Sequence, residues 1–140
     1  MHVVDTNVLI YAANAGSPQH AASRQWLTST LAAGETLGLP WVSVLGFIRL
    51  TTNPRIMPRP VTVAQAIGAV EVWAAQPNVI LLEPGPRHLS VLAGLLTDAG
   101  TGGNLTTDAH IAALALENRC PVVTFDRGMA RFGVECVTPG

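Results

Sequence analysis

Three aspartates sit where chemistry can be done. Asp5 follows directly on the apolar pair Val3-Val4, and Asp126 follows the run Pro121-Val122-Val123-Thr124-Phe125. Asp108 opens an alanine-rich segment, Ala109 to Ala115. Asp is a favoured helix N-cap, so each residue taken alone has an ordinary structural use. All three together account for most of the four aspartates in the chain. In a parallel α/β sheet the loops at the carboxyl ends of the strands gather on one edge, where ligands bind. Asp5 and Asp126 share that edge, and a helix N-terminus just ahead of the last buried strand brings Asp108 within reach of it. Carboxylates that converge repel one another. All eight basic residues are Arg, so no lysine neutralises the group. A divalent cation does so, and magnesium takes oxygen ligands, one or two carboxylates with waters and substrate phosphate. The outline is that of a metal-assisted phosphodiester site.

The elements that position these residues follow from patterning. Val3-Val4 predicts a strand, and Val8 to Ala13 a helix starting on the Asp5-Thr6-Asn7 turn. Ser17-Pro18 signals the start of a second helix through Trp26, Leu27 and Leu31 to Gly34. Thr36 to Leu39 predicts a strand ended by Pro40, and Trp41 to Thr52 a helix broken by Asn53-Pro54. A proline-rich loop runs through Pro60. Thr62 with Gln65 forms a capping box opening a helix that stops before Pro77. Val79 to Leu82 predicts a buried strand, Arg87 to Ala99 a helix ending at Gly100, and Gly102-Gly103 a loop. Thr106 or Thr107 caps a helix to Asn118. Pro121 to Phe125 and Val134 to Val137 predict the last strands. Strands alternating with helices argue for an α/β domain with a mainly parallel central sheet of about five strands flanked by helices. Strand order does not follow from the pattern.

Composition bounds the rest. A chain of 140 residues, 49% hydrophobic and 12% charged, is expected to form one domain, residues 1–140, with a sizeable core. The net charge of −1 excludes a strongly basic, tail-driven nucleic-acid binder. The missing lysine excludes Schiff-base and lysine-dependent phosphate chemistry. No run reaches the roughly 18 apolar residues of a spanning helix, and the opening residues lack a signal-peptide pattern. A cytoplasmic protein is expected. Cys120 and Cys136 lack metal-site spacing and are expected to be buried free thiols. Trp26, Trp41 and Trp73 are expected in core packing.

The ordered set of acidic motifs resembles a known family. Val3 to Leu9 resembles the opening strand and first acid of PIN-domain ribonucleases. Gly103 to Ala115 resembles their third acidic motif, and Val122 to Arg127 with Ala130-Arg131-Phe132 their last. Trp41 to Arg55, Arg87-His88 and Val137-Thr138-Pro139 resemble the VapC toxins of bacterial toxin–antitoxin pairs, the mycobacterial ones above all. The resemblance implies a PIN fold and an endoribonuclease using Mg2+ or Mn2+ on structured RNA such as tRNA or rRNA. It also implies a homodimer and a VapB-type antitoxin that blocks the site. Asp5, Asp108 and Asp126 match the first, third and fourth family acids, as catalytic residues and metal ligands. Thr6, Asn104 and Thr124 match polar positions supporting them.

Two departures stand out. The family's second acid is usually a Glu, and the matching position here is Gly46. The second Asp that many relatives carry after the last acid is replaced by Gly128. The site is therefore expected to hold one metal firmly and a second weakly or only with RNA, unless Glu71 or Asp98 substitutes. RNA needs positive charge near the acids. Arg49, Arg55 and Arg59, with Arg127 and Arg131, are the candidates. His110, two residues beyond Asp108, points to a different helix face. Two rivals remain. A haloacid-type phosphatase wants a second Asp where Asn7 stands, and a lysine. A PIN module that binds RNA or antitoxin without cutting is kept open by Gly46.

Overall fold

The computed structural model describes residues 1–140. Five strands form one all-parallel sheet: β1 (His2–Val4), β2 (Leu37–Pro40), β3 (Val79–Leu82), β4 (Val122–Val123) and β5 (Cys136–Val137), in the order β3-β2-β1-β4-β5. The α/β expectation and the strand count are met. The order reverses between β1 and β4, and a doubly wound sheet opens its ligand crevice at such a reversal.

Side chains alternate across the pleat, and this sorts the helices onto two faces. Val3 and Val122 point into one core, packed by α5 (His88–Ala99), α6 (Thr106–Glu117) and a 3-10 stretch, Arg127–Phe132. Val4 and Val123 point into the other, with α1 (Thr6–Ala13), α2 (His20–Ala32), α3 (Trp41–Thr51) and α4 (Val63–Ala74). Ala109, Ala112, Ala113 and Ala115 are fully buried. Their small side chains let α6 lie close against the sheet.

The helix starts show where sequence signals were diverted. Thr62 and Gln65 form both bonds of the predicted capping box. Ser17 caps nothing: its hydroxyl donates to the Asn14 carbonyl and closes the turn after α1, so α2 begins only at His20. Neither Thr106 nor Thr107 caps α6. A 3-10 turn, Gly103–Leu105, runs straight into it, so the chain is already helical at Leu105. The strand β4 is shorter than its apolar run. Beyond Val123, the Phe125 N–H donates to Asn7 Oδ1 and the Asp126 N–H to Thr124 Oγ1. Side chains of the site replace ladder partners there. Both cysteines are free and half-buried, less covered than expected. Trp26 and Trp73 are half-buried, but Trp41 lies 45% exposed at the start of α3.

Candidate active site

The acids are placed by the fold's simplest rule. β1 and β4 are neighbours, so the residues that follow them, Asp5 and Asp126, emerge side by side at the carboxyl edge. The helix α6 runs back across the sheet, which puts its first turn, and Asp108, at the same edge. All three carboxylates line one cavity of about 560 Å³.

Asp5 is the most constrained of them. It is buried and caps α1, accepting the Thr6 N–H at 2.7 Å. Its other oxygen accepts the Thr124 hydroxyl at 2.7 Å, across 119 residues of sequence. Thr124 in turn accepts the Asp126 N–H at 3.0 Å. Asn7 completes the clasp: its amide reaches Asp5 at 3.2 Å and Thr124 at 3.3 Å, and its carbonyl takes the Phe125 N–H. Asp126 caps the 3-10 stretch through the Gly128 N–H at 2.8 Å. The capping role of Asp and its presence in the cavity therefore coexist in the same residues.

Electrostatics reflects the crowding. Burial pushes the Asp5 carboxyl above its ordinary value against the pull of the Thr124, Thr6 and Asn7 bonds, and the Asp126 charge adds to the rise. Asp108 is also raised, first by burial and then by the Asp5 and Asp126 charges, with Arg131 opposing. Nowhere do three His, Cys, Asp or Glu side chains form a ready-made metal cage. An open wall of carboxylate oxygens suits a hard, hydrated cation that keeps several waters, as magnesium does.

The other predicted site residues divide. Thr6, Gly46 and Arg49 line the cavity, and Thr124 lies beneath it. Asn104 does not line it; it is exposed in the 3-10 turn ahead of α6. Arg55 and Arg127 are exposed and outside the cavity, because the Asn53 turn and the 3-10 stretch carry them away from its wall. Glu71 is exposed on α4, and Asp98 lines a different hollow with Arg131, so neither replaces the missing acid. A Cβ added at Gly46 would stand 2.9 Å from Thr6 Cγ2. The threonine methyl fills the space beside that backbone. A Cβ added at Gly128 would stand 3.0 Å from both Arg131 Nη2 and Asp126 Oδ1. His110 turns away from the acids and bonds His88 Nε2 at 2.8 Å, while His88 Nδ1 pairs with Glu117. Sequence reasoning missed Asn7 and Thr107 as cavity residues. Each neighbours a flagged Asp, which was the available signal.

The model of the PIN domain family matches residues 2–135. Ribonuclease VapC37 of Mycobacterium tuberculosis is 44% identical over 132 residues, covering 94% of this chain and 92% of the relative. Ribonuclease VapC25 of the same organism is 41% identical, covering 94% and 93%. Among solved structures, VapBC2 from Rickettsia felis bound to a promoter DNA fragment superposes with a TM-score of 0.72 at 13% identity, covering 99% of this chain and 98% of that one. FitAB bound to a DNA fragment gives 0.68 at 19%, covering 99% and 95%. These two likenesses speak to the fold.

Proposed function

Because this chain belongs to the PIN-domain family, among the VapC ribonucleases, we propose that it is the toxin of a toxin–antitoxin pair. It acts as an endoribonuclease that hydrolyses phosphodiester bonds of structured RNA, tRNA or rRNA, in the cytoplasm. The whole chain, residues 1–140, works as one domain and pairs as a homodimer. The observation that carries this reading is the meeting of Asp5, Asp108 and Asp126, from three separate elements, on one cavity. The partner is a VapB-type antitoxin. Support comes from structural neighbours that are themselves VapBC complexes, including VapBC-1 from nontypeable Haemophilus influenzae. No helix is long and apolar enough to cross a membrane.

Mg2+ or Mn2+ is the proposed cofactor, held by Asp5 and Asp108 with Asp126 as third ligand or water-orienting base. Such an ion supplies charge compensation on the phosphate and an acidified water. The chain's own residues do the positioning. Thr124 fixes the Asp5 carboxylate by donating to one oxygen while the α1 N-terminus holds the other. Through its own accepted bond, Thr124 also sets the backbone of Asp126. Asp126 is exposed at the cavity wall, where its carboxylate is placed to orient the attacking water or take up its proton.

The test is digestion of total cellular RNA by the purified chain with Mg2+ or Mn2+, beside Asp5→Asn and an EDTA control. Discrete fragments that need the cation and vanish in the variant are the expected result. Intact RNA from a folded, antitoxin-free chain would favour the second reading, a binding module without catalysis. The observation behind that alternative is the absence of any acid on α3.

A further inference from the structure

The residues of α3 that are exposed are Trp41, Leu45 and Arg49, each four positions from the next. Residues at that spacing share a helix face. They make one stripe, about 12 Å long at the helical rise, whose cationic end lies at the acid cavity. Trp41 is 45% and Leu45 59% exposed. Leu45 and Arg49 both line the cavity, and Arg49 is its only cationic lining residue. Although Arg49 shares that space with three carboxylates, it forms no ion pair. An unpaired guanidinium lies on the wall of the acids' cavity, an apolar side chain follows, and an indole stands at the far end.

Resting on the ribonuclease reading above, we propose that this stripe binds an unpaired stretch of RNA beside the bond to be cut. Arg49 takes a backbone phosphate and Trp41 stacks on a base. Aromatic faces joined to a charged track are how proteins hold single-stranded nucleic acid, and they need bases freed from pairing. A length of about 12 Å accommodates a few nucleotides at roughly 3.4 Å each when stacked. Charge complementarity favours RNA over an apolar partner helix. Such a helix would cover Trp41 and Leu45 but leave the guanidinium on the cavity wall unmatched.

The experiment uses the full chain carrying Asp108→Asn to block cutting. It titrates this chain with a fluorescein-labelled oligouridylate of about ten nucleotides and with a duplex of the same length, at several salt concentrations. Trp41→Ala is expected to weaken single-strand binding by roughly 5- to 100-fold, with Trp41→Phe recovering most of it. Arg49→Ala is expected to lower the slope of log Kd against log salt by about 0.7, one phosphate on a single strand, and Arg49→Lys to restore it. The duplex should bind more weakly and not respond to Trp41→Ala. Unchanged single-strand affinity in both alanine variants overturns the proposal. So does unchanged affinity accompanied by a loss of self-association in sedimentation, which would make the stripe a protein interface. In the cleavage-competent background, RNA cutting with unaltered KM in both variants removes the stripe while the nuclease reading stands. A chain with the stripe intact that neither binds nor cuts RNA removes both.

Discussion

At the scale of single residues, the site is a balance between repulsion and clasping. Asp5 and Asp108 both carry raised carboxyl values, so the folded chain keeps protons that the unfolded chain has already released above about pH 4. Stability from these groups is thus present at acidic pH. It is lost as pH rises through the interval between the ordinary and the raised values. Asp108→Asn removes that loss. It is expected to raise Tm at neutral pH without divalent cation by roughly 3 °C, for a gain of up to about 1 kcal/mol. The difference from the parent should shrink towards pH 4, while RNA cutting is abolished. Thermal scans across pH read this directly. Thr124 tests the clasp: Thr124→Val leaves the Asp126 N–H and the Asn7 amide short of a partner in a buried place. It is expected to cost about 1–3 kcal/mol in urea denaturation. Cutting should fall more than about tenfold, as for loss of a positioning contact, with the acid limb of its pH profile moved upward.

At the scale of elements, the close approach of α3 to the start of α1 defines the cavity. Its measure is the 2.9 Å between a Cβ at position 46 and the Thr6 methyl. Gly46→Ala gains helix propensity but overpacks a stiff, β-branched neighbour. A net loss of about 1–2 kcal/mol is expected from the crowding. In the double variant with Thr6→Ala the nearest Thr6 atom left is the Cβ at 3.7 Å, so most of that loss should return. A four-corner denaturation cycle measures the coupling, and additive effects would refute the contact. The same elements show what patterning reveals. Asp5 and Asp126 were legible because a residue just past a buried parallel strand is forced to the carboxyl edge. Asp108 was legible because α6 must run antiparallel to the strands. Asn104, one turn earlier, was not, since local periodicity does not say which way a 3-10 turn faces. Trp41 was misassigned to the core for a related reason. The period of α3 is plain, but only the sheet's position decides which face is covered, and Trp41 falls with Leu45 on the open one. Arg127 adjoins Asp126 in sequence and Arg55 follows closely on α3 with Arg49, and a turn was enough to carry each away from the cavity.

At the scale of the whole molecule, one cation should act on stability as well as on chemistry. Three carboxylates drawn to one edge by sheet topology are a standing cost that binding relieves. A ligand present at one hundred times its Kd adds about 2.7 kcal/mol to the folded state. Mn2+ or Mg2+ is therefore expected to raise the Tm of the parent and to leave that of Asp5→Asn nearly unmoved. An equal rise in both would place the cation elsewhere. The strand order that gathers the acids also sets when they can meet. Central strand β1 takes its neighbours from β2 and from β4, which lie far apart in the sequence, and Asp5 depends on a hydroxyl 119 residues away. During synthesis at roughly 5–20 residues per second, the first acid waits for another 119 residues before its hydroxyl partner exists. A ribosome making this protein carries an unarmed chain, and the competent site arises only after the segment bearing Thr124 and Asp126 has emerged.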